Sequence, residues 1–245
     1  MALLELDAVR AGYGNGPDIL TDVSIEVERG RSYCVIGPNG AGKSTMLKVI
    51  SGLLKPRDGR IVFDGNPIAG RRPDQILSAG VCFVPQDRTV FPDMTVRENL
   101  AMGGYLLRDR EKVSRRIDAV TEIFPILAER SHQHAQSMSG GEQQMLALGR
   151  ALMIEPQLMM VDEPSLGLAP QSARQVFTTI RRLSDELGVT ILMVEQNIRR
   201  GLELTDHAFV LDLGTKRFEG ESAQISDDPR VRDLYLGSMA PEEGT

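Results

Sequence analysis

One segment of nine residues constrains the fold of this chain more than any other. Residues 37–45 read Gly-Pro-Asn-Gly-Ala-Gly-Lys-Ser-Thr and match the phosphate-binding pattern G-x-x-x-x-G-K-[ST] at every fixed position. An apolar run at 33–36 precedes the segment, and a helix-like run at 46–50 follows it. This order predicts a strand, then a loop that wraps anionic oxygens, then a helix whose first N–H groups face the anion.

Every residue of this loop is a candidate nucleotide-binding residue: Gly37, Pro38, Asn39, Gly40, Ala41, Gly42, Lys43, Ser44 and Thr45. The glycines tolerate positive φ and have no Cβ, so the backbone can approach phosphate oxygens closely. Lys43 supplies positive charge for the β- and γ-phosphates, and the Ser44 hydroxyl can bind Mg²⁺. The pattern predicts a nucleoside triphosphate as ligand but leaves open what its energy is used for.

Composition and charge narrow the class of protein. The chain has 245 residues, 41% hydrophobic and 25% charged, which suits one large domain or one domain with an insertion. A net charge of −6 disfavours a nucleic-acid ATPase, which normally carries a basic face. We expect Cys34 and Cys82, both in apolar runs, to be buried reduced thiols. Neither a signal peptide nor a run long enough to span a membrane is recognisable, so we expect a cytoplasmic protein.

Strand and helix patterns alternate over most of the chain, which predicts an α/β fold with a mostly parallel sheet covered on both faces. Short apolar runs indicate strands near 32–36, 81–84, 158–161, 189–194 and 208–211. Helical periodicity indicates helices at 141–154 and at 171–187, the latter with Val176, Ile180, Leu183 and Leu187 in phase. Strand patterns vanish between 87 and 138, so we expect a helical insertion there.

A second candidate element follows the apolar strand at 158–161. Asp162 and Glu163 then lie at the carboxyl end of a buried strand, where α/β sheets bind ligands. Asp162 suits a contact to the Mg²⁺ held by Ser44, and Glu163 is placed to polarise the water that attacks the γ-phosphate. The alternative for this segment alone is a plain strand followed by a solvated acidic turn.

A third element resembles the signature motif of ATP-binding cassette (ABC) ATPases. It consists of Ser139, Gly140, Gly141, Glu142 and Gln143, with Met138 in place of the usual leading leucine and Glu142 as an extra residue. Ser139 is a natural N-cap, and the free N–H groups behind it form an anion site. The alternative is a capped helix that binds no ligand. The resemblance implies that these residues face the γ-phosphate bound by the P-loop of a partner subunit.

The resemblance covers essentially the whole chain and implies further site residues. Tyr13 resembles the aromatic residue that stacks on adenine, and Gln86 resembles the glutamine that contacts Mg²⁺ and water and begins the helical subdomain. Residues 165–168 resemble the D-loop, which crosses the dimer interface. It also implies a P-loop NTPase (RecA-like) core with an N-terminal antiparallel β subdomain. The divisions we expect are 1–86 and 139–245 for the nucleotide-binding core and 87–138 for the helical subdomain.

One position departs from the family pattern. The family usually has a switch histidine where this chain has Gln196. A glutamine amide can donate a hydrogen bond to a γ-phosphate oxygen but cannot carry a proton. Glu163 therefore remains the main candidate base, with Gln86 and Gln196 as the other expected catalytic residues.

Longer strings narrow the resemblance to the ATP-binding subunits of branched-chain amino acid importers, in their shorter paralogous form. These strings are EPSLGLAP, VEQN, FPDMTVRENLAMG and SGGEQQMLALGRALM. That subunit commonly has Pro-Glu-Gly-Arg where this chain has Pro85-Gln86-Asp87-Arg88, whereas some urea and amide importers have glutamine there. Import of branched-chain or other hydrophobic amino acids and import of urea or amides therefore both stay open.

The implied assembly is a head-to-tail dimer, with a paralogous ATPase subunit or with a second copy, that binds ATP and Mg²⁺. Two membrane permeases and a substrate-binding protein would complete it, with no nucleic acid. Its expected place is the cytoplasmic face of the plasma membrane, as a peripheral subunit that is soluble when isolated. Val90, Phe91 and Met94 are candidate permease contacts, with local packing as the alternative.

Three other functions are less consistent with this sequence. A non-transport ABC ATPase usually carries two cassettes or a long coiled-coil insertion, and an exporter cassette is normally fused to membrane helices. A nucleotide-sensing regulator would be expected to lack Glu163 or Ser139, and both are present. The transported substrate and the choice between homodimer and heterodimer stay open at this level.

Overall fold

A computed structural model describes residues 2–87, 90–231 and 234 of the chain. Arg88, the last residue of the variant string around Gln86, lies outside the described residues. Among the described residues, the strands are β1 (Ala2–Ala11), β2 (Leu20–Glu28), β3 (Ser32–Ile36), β4 (Asp58–Phe63), β5 (Asn66–Pro67), β6 (Val81–Val84), β7 (Leu158–Asp162), β8 (Thr190–Val194), β9 (His207–Asp212) and β10 (Thr215–Glu221).

The helices described are α1 (Lys43–Ile50), α2 (Pro73–Ser78), α3 (Val96–Gly103), α4 (Arg110–Ile123), α5 (Pro125–Glu129), α6 (Gly140–Leu152), α7 (Pro170–Asp185), α8 (Ile198–Glu203) and α9 (Ser222–Asp227), with a 3-10 turn at Ala135–Ser137. Between β6 and β7 the described elements are therefore helical. This agrees with the loss of strand patterns in the sequence from residue 87 to residue 138.

Two sheets form the framework. In the described ranges, β2-β1-β4-β5 is an antiparallel sheet, and β10-β9-β3-β8-β7-β6 is a second sheet that is parallel except for β10. Every residue of β3, β7 and β8 is buried, as expected for central parallel strands with both faces covered. The predicted α/β fold with a mostly parallel sheet and an N-terminal antiparallel part is confirmed.

The core has two layers, one on each face of the parallel sheet. On one face, Met46 and Leu47 of α1 lie between this sheet and inward residues of the antiparallel sheet such as Leu4 and Ile25. On the other face, α6 and α7 pack on the sheet, and α3 to α5 pack on α6. A Cβ added at Gly149 of α6 would lie 2.8 Å from Leu127 Cδ1, so the helices approach closely there.

The structure corrects one detail of the predicted helix at 171–187. The helix ends at Asp185, and Leu187 is 48% exposed instead of buried with Val176 and Ile180. Gly188 adopts φ +66°, which turns the chain toward β8 and points Leu187 away from the core. The apolar periodicity continues to Leu187, two residues past the end of the helix. Periodicity of apolar residues does not by itself mark where a helix ends.

Cys34 and Cys82 are buried free thiols, as predicted, and burial raises the pKa of Cys82 to about 12. Across the described residues, every helix is too short or too polar to cross a membrane.

Candidate nucleotide-binding site

The loop at 37–45 joins the central strand β3 to α1, and its backbone has the shape that phosphate binding requires. Gly40 and Gly42 have φ values of +80° and +98°. A Cβ at Gly37 would collide with the carbonyl oxygen of Leu211, and one at Gly42 would lie 2.7 Å from Leu20 Cδ2. Among the described residues, no side chain caps the first turn of α1, so its N–H groups are available to an anion. The loop therefore fits a polyphosphate.

Lys43 holds its ammonium group over this loop. Its Nζ donates to the carbonyl oxygens of Gly37 at 2.8 Å and Pro38 at 3.1 Å, and the residue is only 6% exposed. Burial lowers the pKa of Lys43, an effect that Glu163 and Asp162 partly oppose. A buried cation with weak carbonyl partners is well placed to gain from a nearby anion, because phosphate oxygens compensate its desolvation.

Ser44 and Asp162, which the sequence analysis expected beside the same Mg²⁺ ion, lie within hydrogen-bonding distance of each other. Ser44 Oγ donates to Asp162 Oδ1 at 3.0 Å, and Asp162 is 3% exposed at the end of β7. Burial raises the pKa of Asp162, and the Ser44 hydrogen bond and nearby lysines offset part of the rise. In the described ranges no group of three or more His, Cys, Asp or Glu residues could hold a metal ion. A hydroxyl and one carboxylate suit Mg²⁺, which keeps waters and takes further ligands from substrate phosphates.

Glu163 occupies a strained backbone position beside these groups. Its φ is +46°, and its N–H donates to the carbonyl oxygen of Val194 at 2.9 Å, which fixes the residue against β8. Left-handed backbone at a residue other than glycine costs about 1–3 kcal/mol and is concentrated at functional sites. Burial, and then the charge of Asp162, raise the pKa of the Glu163 carboxyl, while Lys43 lowers it.

Two glutamines lie at the edge of the same site. Gln86 Nε2 is 3.5 Å from Glu163 Oε2, and Gln196 Nε2 donates to Asn39 Oδ1 at 3.4 Å. Gln196, at the switch position, thus reaches the phosphate-binding loop itself. The structure brings together the loop, both carboxylates and both glutamines that the sequence analysis had named separately.

Tyr13 lies in the glycine-rich turn between β1 and β2 and is 46% exposed. Lys48 Nζ is 5.7 Å from the centre of its ring. Sequence reasoning missed Lys48, although its spacing from Ser44 by four residues on α1 places both on one helix face. It also missed Arg57, which donates to Gly14 O at 2.9 Å and to Asp18 Oδ1 at 2.7 Å and so fixes the turn that carries Tyr13.

Replacement of Tyr13 with alanine should weaken ATP binding about tenfold, because stacking on a base contributes roughly 1–3 kcal/mol. Binding of inorganic triphosphate should stay unchanged, since it has no base to stack. Isothermal titration calorimetry with both ligands measures this difference. Tyr105→Ala, at an aromatic residue that is 57% exposed outside the loop, is the matched control. An equal loss for both ligands would contradict stacking.

The signature residues form a capped helix start. Ser139 Oγ accepts from Glu142 N at 3.4 Å, and the Glu142 carboxylate accepts from Ser139 N at 2.8 Å. Gln143 Nε2 donates to Ala135 O at 2.9 Å. A Cβ at Gly141 would lie 2.7 Å from Ser172 Cβ, so α6 and α7 are in direct contact there.

The same chain does not bring this signature segment to its own loop at 37–45. Ser139, Gly141 and Glu142 line a separate groove together with α7 and the α4–α5 corner. Within the described residues, no side-chain hydrogen bond joins 139–143 to 37–45. Within the described residues, the candidate phosphate-binding loop and the candidate anion-binding helix start therefore lie apart.

Comparison with known proteins agrees with this geometry. The family described as ABC transporter matches residues 20–166. The high-affinity branched-chain amino acid transport ATP-binding protein BraG of Pseudomonas aeruginosa is 45% identical over 96% of this chain and 100% of its own length. The probable branched-chain amino acid transport ATP-binding protein LivF of Archaeoglobus fulgidus is 37% identical over 96% of this chain and 99% of its own.

The similar solved structures are also ATP-binding cassettes of ABC transporters. A nucleotide-free ATP-binding cassette from an ABC transporter superposes with a TM-score of 0.86 at 29% identity, covering 96% of this chain and 99% of the other. The ADP conformation of an ATP-binding cassette superposes with a TM-score of 0.87 at 30% identity, covering 97% and 99%. With the loop, the acidic strand end and the signature segment all in place, this chain belongs to the ABC transporter family, as an ATP-binding cassette.

Proposed function

We propose that this chain is the ATP-hydrolysing subunit of an importer for branched-chain or other hydrophobic amino acids. The observation that carries the proposal is the 45% identity to BraG over the full length of that protein, together with a site that has its loop, Asp162 and Glu163 in place. Urea or amide import is the second candidate, and the Gln86 variant is the observation that favours it.

Each residue of the site has a separate role in ATP hydrolysis. The loop N–H groups and Lys43 hold the β- and γ-phosphates, and Ser44, Asp162 and the Gln86 amide oxygen are the protein groups that would hold Mg²⁺. The ion, when bound, neutralises charge on the phosphate oxygens. Glu163 orients the attacking water and accepts its proton, and Gln196 donates a hydrogen bond toward the γ-phosphate. Tyr13 stacks on the adenine ring.

The separation of the signature segment from the loop supports a head-to-tail dimer. In this arrangement ATP lies between residues 37–45 of one subunit and Ser139, Gly140, Gly141, Glu142 and Gln143 of the other. The γ-phosphate holds the two halves closed, and its removal by hydrolysis opens them. The partner is a paralogous subunit or a second copy of this chain.

A groove beside the helical segment is the proposed contact for the permeases. It encloses about 530 Å³ and is lined by exposed apolar side chains that include Leu53, Phe91, Met102 and Tyr105. Phe91 was a predicted contact and lines the groove, whereas Val90 packs against the core. Such a groove suits a cytoplasmic helix of a membrane subunit, which would place this chain at the cytoplasmic face of the membrane.

The proposal is tested by a pull-down from native membranes with this subunit as bait, followed by mass spectrometry of the co-purifying proteins. We expect a second ATPase subunit, two polytopic permeases and a substrate-binding protein, which can then be titrated with amino acids, urea and amides. Recovery of ribosomal or DNA-repair proteins without a permease would contradict the transport function.

Replacement of Tyr105 with aspartate should abolish recovery of the permeases in this pull-down, because a charge in an apolar groove is costly to bury. ATP binding by the variant should be unchanged, since the groove is separate from the loop. Leu187→Asp is the matched control, because Leu187 is similarly exposed but lies outside the groove. Equal recovery with both variants would exclude the groove as the docking surface.

A further inference from the structure

Glu195 is a buried carboxylate to which the hydrolytic scheme above gives no role. It follows β8 directly and is only 2% exposed. Its Oε1 accepts from Ser165 N at 3.3 Å, and its Oε2 accepts from Gln196 N at 3.1 Å and Asn197 N at 3.4 Å. One side chain therefore binds the backbone of two different loops.

Both of these loops carry residues of the site. The loop after β7 begins with Glu163 and continues through Ser165 into the segment that resembles the D-loop, whose Leu166 is 48% exposed. The loop after β8 carries Gln196, which reaches Asn39 in the phosphate-binding loop. The Glu195 carboxylate is thus one connection between the candidate base and the residue at the switch position.

Glu195 is buried without a positively charged partner among the described residues, which is unusual for a residue that serves only packing. In the described ranges it makes no ion pair with Lys or Arg, and backbone N–H groups solvate it instead. Burial, with a smaller contribution from Glu163, raises the pKa of its carboxyl, and the hydrogen bonds from Ser165 and Asn197 lower it. Burial of a carboxylate without a cation costs free energy unless its oxygens accept hydrogen bonds. The two loops must therefore hold their N–H groups in fixed positions around Glu195.

We propose that Glu195 is a positioning residue for ATP hydrolysis, whose carboxylate fixes the loop after β7 relative to the loop after β8. Glu163 and Gln196 then face the same phosphate. Because Ser165 begins the segment expected to cross to the partner subunit, a shift of that segment on dimer closure would be transmitted through Glu195 to Gln196. This inference rests on the proposed ATP hydrolysis at the loop 37–45.

A second carboxylate in the chain provides a matched control. Asp206 Oδ2 accepts from Ser32 N at 2.9 Å and from Ser32 Oγ at 2.8 Å, and Arg181 lies 3.0 Å from Oδ1. Asp206 therefore also joins two segments of the sheet, through one hydrogen bond from the backbone N–H and one from the hydroxyl of Ser32. It does so at the amino ends of β3 and β9, the opposite end of the sheet from the phosphate-binding loop.

The test compares Glu195→Gln with Asp206→Asn in the full chain, alone and with the membrane proteins that co-purify with it. We expect Glu195→Gln to lower kcat about 10- to 100-fold, the range produced by slight misplacement of catalytic groups, while the KM for ATP changes less than about twofold. Asp206→Asn should lower the melting temperature and leave kcat per folded protein unchanged. Should Glu195→Gln fail to fold, Glu195→Asp is measured in the same way, because it keeps the charge but shortens the reach to Ser165.

A double-mutant cycle then tests the route of the effect. In a Gln196→Ala background, Glu195→Gln should lower kcat less than it does in the wild type, because Gln196, one of the two side chains that Glu195 positions, is already gone. Full additivity would overturn the transmission to Gln196, and a wild-type kcat in Glu195→Gln would overturn the positioning role as a whole. Absence of turnover in the wild-type protein with its partners would instead overturn the proposed hydrolysis, so the two failures are distinguishable.

Discussion

Glu163→Gln should keep ATP binding within about twofold of the wild type and lower turnover by about 100-fold or more, the usual contribution of a general base. The amide has nearly the same shape as the carboxylate but cannot take a proton from the attacking water. Burial and Asp162 raise the pKa of Glu163, and a higher pKa makes the carboxylate a stronger base as long as it stays ionised. Single-turnover phosphate release and equilibrium ATP binding, measured on one preparation, separate the two effects.

Glu98→Gln is the matched control for this experiment. Glu98 is also a carboxylate near a loop-to-helix junction, but it caps α3 by accepting from Thr95 N at 2.7 Å. Replacement of this carboxylate with an amide should change the stability of the protein slightly and should leave turnover unchanged. Full turnover in Glu163→Gln would show that Glu163 is not the general base. Gln86 and Gln196 would then be the remaining candidates for orienting the attacking water.

Lys43→Ala should weaken ATP binding by about 100-fold or more, because a charge-assisted contact to two phosphates is lost inside a partly buried site. The nucleotide-free variant should stay folded, since burial disfavours the charged ammonium and its removal relieves that cost. Calorimetric titration measures the affinity. The rise in melting temperature that ATP with Mg²⁺ gives the wild type should disappear, because ligand stabilisation requires binding to the folded state.

Lys112→Ala, at an exposed lysine of α4, controls for a general loss of positive charge. It should bind ATP as tightly as the wild type. ATP binding of wild-type strength by Lys43→Ala would contradict the assignment of residues 37–45 as the phosphate-binding loop.

The strands that form the site were predictable because they are short, apolar and fully buried. β3, β7 and β8 are each bounded by polar or glycine-rich turns, and the carboxyl ends of parallel strands meet at one edge of the sheet. That rule places Asp162 near Ser44 although 118 residues separate them, whereas their direct hydrogen bond was not predicted. Elements with weak patterns were missed, such as β10, whose sequence TKRFEGE has little apolar alternation.

Contacts that depend on long-range packing were beyond prediction. Glu163 combines a left-handed backbone with a hydrogen bond from its N–H to the carbonyl oxygen of Val194, and no local sequence pattern specifies either feature. The link from Arg57 to Gly14 joins the start of β4 to a turn more than 40 residues earlier. Glu195 reads in the sequence as an ordinary polar residue after a strand, and only the fold surrounds it with backbone donors.

The contact between Gly141 and Ser172 affects which residues can indicate a loss of activity when sequences of related proteins are compared. Because a Cβ at Gly141 would lie 2.7 Å from the Ser172 side chain of the neighbouring helix, packing favours glycine there whether or not a nucleotide binds. Glu163, by contrast, occupies a strained conformation that packing does not favour. In a descendant that had lost hydrolysis, Glu163 would be free to change, whereas packing would still favour glycine at position 141. Of these two positions, Glu163 is therefore the more informative about loss of activity during evolution.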